Sequence, residues 1–448
     1  MDEHLHYVDQ AMYLGLRATG QAAAMQCVWV YTHPVDLDGV GRFHRTFGNG
    51  LWGRSIERSP VPFGRHRWVR AVRPPADVDV VGYPRPRTEL GDWLDERAVV
   101  PVDPEWGPSW HLGVLPMTDG STAVCLTMSH CISDGGGAVA TILDAIAGRV
   151  RDFGYPPARS RTRLQAVVED LRQFRHDLPE VSRTVVTAGR IARRRFQDRP
   201  RGPAGKKRRA TGKEFDDTRH VAVPSISVLV DLDDWDRRAA ALGGNTYSLL
   251  AGFCAGLADS MHRRAADGKV PLIIPINDRT DVGDTRANAV QLAAVRIDPA
   301  EVCLDLTGAR AEIRRTLASL GEVPEEAEQL LPLIPFMPEM AVRRGAEMAF
   351  DFAENPVSCS NMGDVSAEIV RLDGSDAEYV LMRGVDQHVT RRVLEQRHGV
   401  LTVVSARVAG RISLAVVGYG AGVCDTKAAL RELVEHALSD FELTGVVI

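Results

Sequence analysis

Apolar and polar positions follow one another along the chain in patterns that predict strands and helices in turn. Residues 123–128 form an almost wholly apolar run, which is typical of a buried strand. From Val139 to Ile146 the apolar residues recur at helical spacing, which predicts a helix shortly after this strand. Residues 161–195 carry a longer helical stripe, and we expect Pro179 to bend or break that helix.

The second half of the chain shows the same alternation. The predicted strands are residues 226–230 and 272–276 and a pair, 400–408 and 412–419, that turns at Gly410. The predicted helices are residues 245–262 and a last helix that begins after Asp425, its candidate N-cap. Strands that alternate with helices in both halves predict an α/β protein of two domains. A length of 448 residues also favours two domains over one core.

The segment between the strand at 123–128 and the next helix carries the candidate chemistry. It reads H-x-x-x-D-G-x-G and begins at His130. The glycines let the backbone turn sharply and open a helix whose N–H groups point back toward the imidazole. A histidine held there can act as a general base near neutral pH. From the residues alone, Asp134 could orient the His130 ring as in a triad. Cys131 is not expected to be a nucleophile, because adjacent strand positions point to opposite faces.

This motif and its surroundings resemble the acyltransferase superfamily that shares the H-x-x-x-D-G signature. The superfamily includes condensation domains of nonribosomal peptide synthetases, plant-type acyltransferases, polyketide-associated acyltransferases and bacterial wax ester synthase/diacylglycerol acyltransferases. The chain is most similar in pattern to the last two. The matching segments, in family order, are residues 5–13, 108–112, 118–121, 245–251, 275–279 with Asn288, and 358–363. The chain departs from the family at Ser129 and Gly363, and it lacks the D-F-G-W-G motif of the plant-type branch.

The resemblance implies a fold and a set of roles. The fold would be two α/β domains like those of chloramphenicol acetyltransferase, with an active-site tunnel at their interface. His130 would be the general base. Asp134 and Gly135 would shape its loop, and Arg279 would pair with Asp134, so that Asp134 is structural rather than part of a triad. The predicted domains are residues 1–189 and 216–448, joined by a linker at 190–215.

Acyl transfer from a thioester sets the remaining chemical requirements. The thioester is already activated, so no acyl-enzyme is needed, and the chain has no G-x-S-x-G. The tetrahedral oxyanion needs hydrogen-bond donors, which the backbone near Gly136 and the side chain of Ser360 or Asn361 could supply. The expected donor is acyl-CoA or an acyl carrier protein, used as a substrate. We expect no bound cofactor.

Composition and charge exclude several classes of protein. The net charge of −5 gives no general case for nucleic-acid binding. No run of eighteen apolar residues predicts a transmembrane helix, and the acidic start is unlike a signal peptide. The seven cysteines are scattered and no Cys/His cluster has metal-ligand spacing, which predicts core thiols and no metal site. We therefore expect a cytoplasmic protein, with peripheral attachment to a membrane left open.

The predicted linker is strongly basic. From Arg190 to Lys213 it contains eleven arginines and lysines and a single acid, Asp198. The interpretation without a binding role is a solvated loop. The functional interpretation is that Arg193–Lys213 contacts an acidic carrier protein, a phosphate of the donor or an anionic membrane surface.

The sequence thus predicts an enzyme that moves an acyl group from a CoA or carrier-protein thioester to a hydroxyl or amine. The setting would be bacterial lipid or natural-product metabolism. Two alternatives remain open. One is a stand-alone condensation enzyme that forms an amide between carrier-bound substrates. The other is a non-catalytic member that keeps the fold as a binding module, although the intact His130 and Gly135 argue against it.

Overall fold

A computed structural model describes residues 3–197, 220–281, 283–320, 329–350 and 355–448 of the chain. Its first half contains the following helices and strands: α1 (Tyr7–Thr19), β1 (Ala22–Tyr31), α2 (Leu37–Phe47), β2 (Arg54–Glu57), β3 (Arg67–Arg70), β4 (Asp79–Val80), α3 (Leu90–Ala98), β5 (Trp110–Pro116), β6 (Thr122–Ser129), α4 (Gly135–Ile146) and α5 (Arg163–Gln197).

The second half continues in the same α/β manner, as the sequence predicted. Its elements are β7 (Ser225–Asp231), α6 (Leu232–Ala241), α7 (Thr246–Ser260), β8 (Val270–Asn277), β9 (Val290–Ile297), α8 (Thr307–Ser319), α9 (Glu339–Phe350), β10 (Val357–Asp364), β11 (Tyr379–Gln387), α10 (Arg391–Gln396), β12 (Val400–Val408), β13 (Arg411–Tyr419), α11 (Lys427–Asp440) and β14 (Gly445–Val447).

Two large sheets form the framework of the fold. The first has five strands in the order β11-β1-β6-β5-β4, and the second has seven in the order β14-β7-β13-β12-β10-β8-β9. Every residue of β6 is buried, because β6 lies between β1 and β5 and is covered on both faces. This explains the unbroken apolar run at 123–128. The helix predicted from 245 is also present, and Asn245 and Ser248 close its first turn as a capping box.

Strand β11 belongs by sequence to the second half but pairs in the first sheet. It runs antiparallel to β1, with Ala22 opposite Gln387 and Val30 opposite Tyr379. The sequence patterns predicted no strand at these residues. The domain limits 1–189 and 216–448 stay a prediction, and a cut there would separate β11 from the sheet in which it lies.

Three local predictions are corrected by the structure. Helix α5 continues through Pro179, so a break there is wrong, while a bend there stays a prediction; a proline removes one N–H donor but need not end a helix that is held elsewhere. The same helix extends to Gln197, so residues 190–197 of the predicted linker are helical, and 198–215 lie outside the described residues. The last helix is capped by Thr426, whose hydroxyl accepts from the Ala429 N–H at 3.1 Å, and not by Asp425, which lies one residue too early.

Candidate active site at the end of strand β6

His130 directly follows β6 and is held through its backbone. Its N–H donates to the Ala23 carbonyl of β1 at 3.0 Å, and its carbonyl accepts from Asn288 Nδ2 at 3.4 Å. The side chain is half-buried. Its Nδ1 atom is buried without a hydrogen-bond partner among the described residues. Nε2 is not buried in this way and is therefore the more accessible of the two ring nitrogens.

Asp134 closes the loop that follows His130. One carboxylate oxygen accepts from the Gly137 N–H at 2.8 Å and so caps helix α4. The other accepts from Arg279 Nη2 and from the Ala289 N–H, each at 2.8 Å. The side chains of Asp134 and Arg279 are only 4% and 9% exposed. Among the residues described, no hydrogen bond joins Asp134 to His130, so this carboxylate holds the loop and the second half of the chain together.

The glycines of the motif differ in how much space they have. A Cβ at Gly137 would collide with the Ser133 hydroxyl and lie 3.1 Å from Arg279 Nη2. A Cβ at Gly135 would meet the flexible end of Met362 at 2.7 Å, and one at Gly136 would be in ordinary contact. The glycine that the ion pair most needs is therefore Gly137, whereas the predicted roles fell on Gly135, for the loop, and on Gly136, for the oxyanion. The second glycine of D-G-x-G was the available signal.

Two further buried charged residues, Asp9 and Arg54, hold backbone near the same loop. Asp9 of α1 accepts from the N–H groups of Ala287 and Asn288, at 3.0 and 2.8 Å. Burial raises the pKa of Asp9, and these two hydrogen bonds oppose that rise. Arg54 donates to the Ile132 carbonyl at 2.7 Å and to the Thr285 carbonyl at 2.6 Å. Burial lowers the pKa of Arg54.

Sequence reasoning missed both of these residues as parts of the site. Asp9 lay within a matching segment but was given no role, and Arg54 carried no motif. Together with the Asp134–Arg279 pair, they hold residues 285–289 against helix α1 and against the loop that follows His130.

Strand β10 brings Ser360 and Asn361 to the same region of the second half. Asn361 Oδ1 accepts from the Gly363 N–H at 2.7 Å, and the next residue, Met362, is the one that packs on Gly135. The contacts described for Ser360 and Asn361 do not include His130, so their part in an oxyanion hole stays a prediction.

Two cavities lie near these elements. One, of about 330 Å³, is mainly apolar and opens between β8, β10, α7 and α8. It is lined by Asn245, Tyr247, Leu250, Ile274, Ile276, Arg310, Ile313, Arg314, Leu317, Cys359 and Asn361. The other, of about 200 Å³, is more polar and lies beside Gly137 and Arg279. His130 lines neither, so the tunnel at the domain interface also stays a prediction.

Other candidate groups have no chemistry of their own here. Cys131 is buried, and burial raises the pKa of its thiol to about 12, which makes it a poor nucleophile. Burial lowers the pKa of His111 to about 4, so this histidine is neutral at physiological pH. The described ranges contain no cluster of three or more His, Cys, Asp or Glu that could hold a metal. Nor does any helix in them have the length and hydrophobicity of a membrane span.

Comparison with known proteins identifies the fold. No family model and no curated protein matches the chain. Among solved structures, the wax ester synthase/diacylglycerol acyltransferase from Marinobacter aquaeolei is similar, with a TM-score of 0.57 and 14% identity over 98% of this chain and 99% of that one. The trichothecene 15-O-acetyltransferase from Fusarium sporotrichioides gives 0.58 and 12%, over 97% and 93%.

A third similar structure is a variant of the starter condensation domain of rhizomide synthetase in complex with C8-CoA. It gives a TM-score of 0.51 and 13% identity, over 98% of this chain and 94% of that one. The chain therefore has the two-lobed α/β fold that condensation domains and these acyltransferases share, as the resemblance implied.

Proposed function

We propose that the protein is an acyltransferase that moves an acyl group from a thioester to a hydroxyl or amine, with His130 as the general base. The observation that carries this proposal is the position of His130. It lies at the end of a buried strand, with Nδ1 buried and Nε2 more accessible, beside the glycine-rich start of a helix. In this proposal Nε2 removes the acceptor's proton as its oxygen or nitrogen attacks the thioester carbonyl. The C–S bond then breaks, and the imidazolium returns the proton to the thiolate.

The hydrogen bonds of Asp134 also support this proposal, because they engage groups other than His130. Because Gly137, Arg279 and Ala289 occupy its carboxylate, Asp134 is not placed to stabilise an imidazolium. An imidazole without a carboxylate partner suits a general base that must take up a proton and release it again quickly. The buried Asp134–Arg279 ion pair then holds the loop in shape and so positions His130.

The apolar cavity supports a thioester donor with an acyl chain. Its wall includes Cys359 and Asn361 of β10, and the next residue, Met362, touches the start of helix α4. Its lining is mainly aliphatic, with Arg310 and Arg314 of α8 as its charged members. We propose that it holds part of the donor, an acyl-CoA or an acyl carrier protein. The C8-CoA in the rhizomide synthetase domain is consistent with this choice.

The proposal is tested by measuring the free thiol that the thioester donor releases on acyl transfer. The purified protein is incubated with acyl-CoA or acyl carrier protein and with panels of alcohols and amines, and products are identified by mass spectrometry. We expect His130→Ala to lower kcat by ~10²- to 10⁴-fold with no loss of folded structure. His436→Ala is the matched control, since the His436 side chain is 73% exposed.

The outcomes separate the candidate functions. Near-native turnover by His130→Ala would exclude the mechanism, and no acyl transfer with any pair of substrates would favour a binding module. Amide products from carrier-bound substrates alone would favour a condensation enzyme. If Arg193–Lys213 contacts an acidic carrier, KM for carrier-bound donors should rise with salt while KM for small acceptors should not.

A further inference from the structure

An opening in the first sheet lies next to His130. Ala23 is exposed even though β1 is paired on both sides, with β6 and with β11. A residue in the middle of a sheet can be exposed only where the face above it is uncovered. The face of Ala23 is therefore open at this end of the sheet.

The register of the strands shows what else lies on this face. Ser129 is opposite Ala24, and the His130 N–H bonds to the Ala23 carbonyl, so His130 extends the pairing by one residue. On the other side of β1, Ala23 is opposite Asp386 of β11. Residues directly opposite each other in antiparallel strands share a face. His130, Ala23 and Asp386 thus form one row across three strands, with the smallest side chain in the middle.

The surroundings of this row are apolar. Two residues before Asp386, a Cβ at Gly384 would lie 3.6 Å from the Val404 side chain of β12, so the second sheet approaches the same face. Met25 and Val404 pack, partly buried, against the apolar cluster of the first sheet. The row therefore lies beside the place where the two sheets meet.

Asp386 is the unusual member of the row. It is half-buried, and within the part of the chain that the structure describes no hydrogen bond or ion pair engages its carboxylate. Burial raises the pKa of Asp386, and the charge of Arg397 opposes that rise. A carboxylate that has lost much of its water without gaining a partner is costly, unless a ligand supplies one.

We propose that Asp386 forms a subsite for a positively charged amine of the acceptor. This inference rests on the proposed function and narrows its substrate class to amino alcohols, whose hydroxyl reaches His130 while the ammonium reaches Asp386. Strands lie ~4.8 Å apart, so the two Cα atoms are ~10 Å apart. Two hydrogen bonds of ~2.8 Å leave ~4–5 Å between the hydroxyl and the amine of the acceptor. A linker of about three carbons has this length.

Matched acceptors test the subsite. 3-Amino-1-propanol and 1-butanol have nearly the same shape and differ in the ammonium group, and 1,3-propanediol adds a neutral donor. We expect the wild-type protein to prefer the amine over 1-butanol by at least ~10-fold in kcat/KM, with the ester as product. Asp386→Asn should bring this ratio close to one. Asp376→Asn, at an exposed carboxylate paired with Arg371, should keep the wild-type ratio.

The result can overturn the subsite without overturning the enzyme. A wild-type protein that acylates 1-butanol or the diol as readily as the amine, or an unchanged ratio in Asp386→Asn, would exclude the subsite and leave the acyltransferase intact. If no thioester supports acyl transfer, the subsite is tested by binding alone, with calorimetric titration of 3-amino-1-propanol into the protein. Binding to the wild type that is lost in Asp386→Asn and kept in Asp376→Asn supports the subsite, and equal behaviour of the three proteins excludes it.

Discussion

Two carboxylates, Asp134 and Asp386, lie near His130, and they differ in their hydrogen bonding. Asp134, on the helix side, accepts hydrogen bonds from Gly137, Ala289 and Arg279. Asp386, on the strand β11 side, engages no donor among the described residues. A carboxylate whose two oxygens both accept hydrogen bonds from the protein fixes the backbone around it and is little available to a substrate. One that is partly dehydrated and unpaired is unfavourable for the fold when ionised and is available to a ligand.

The strongest test of this contrast is to remove the charge of Asp134. Asp134→Asn would leave Arg279 buried without its partner, and breaking such a pair typically costs about 3–5 kcal/mol. We expect urea unfolding to show a loss of that size, together with lower activity. If activity falls while the free energy of unfolding stays the same, Asp134 acts on His130 itself, as in a triad.

A smaller test changes only the space around the ion pair. A methyl group at Gly137 would press on Ser133 and Arg279, so Gly137→Ala should destabilise the protein by about 1–3 kcal/mol. Gly136→Ala is the matched control in the same helical turn, where alanine meets no close neighbour. It should be neutral or stabilising by up to about 1 kcal/mol. Equal effects of the two variants in thermal unfolding would show that the ion pair tolerates displacement.

The smallest effect is expected at Asp386, with the opposite sign. Because its folded-state pKa is raised above 3.8, the folded protein binds this proton more tightly than the unfolded chain does. The contribution of Asp386 to stability therefore falls as the pH rises from 3.8 through the raised pKa. Asp386→Asn should gain stability relative to the wild type over that window and remain at least as stable at pH 7. A loss of stability at neutral pH would reveal a native partner of the carboxylate.

The sequence predicted the local structure on one side of His130. The H-x-x-x-D-G motif is local, so a short segment specifies strand end, turn and helix start together. Arg279 was named as the partner of Asp134 only because the resemblance supplied the long-range link, and the structure brings the two side chains together. Asp9 and Arg54 had no such link, and charged residues are ordinarily expected at the surface.

The pairing of strand β11, on the other side of His130, could not be predicted in the same way. Strand β11 mixes apolar residues with Arg383, Gly384 and Asp386, so it shows neither a continuous apolar run nor a clean alternation. Its partner β1 lies more than 340 residues earlier in the chain. Pairing over such a separation depends on the whole fold and leaves no trace in a short window of sequence.

Strand β11 comes from the second half of the sequence but pairs in the first sheet. This affects how relatives of this protein could be recombined. A chimera that joins residues 1–215 of this chain to the second half of a relative would keep His130 but receive a foreign β11. The residue opposite Ala23 would then come from the donor of the second half. In such hybrids His130 and the residue across β1 from it would have different parents, and any preference set at position 386 would be inherited with the carboxyl-terminal half.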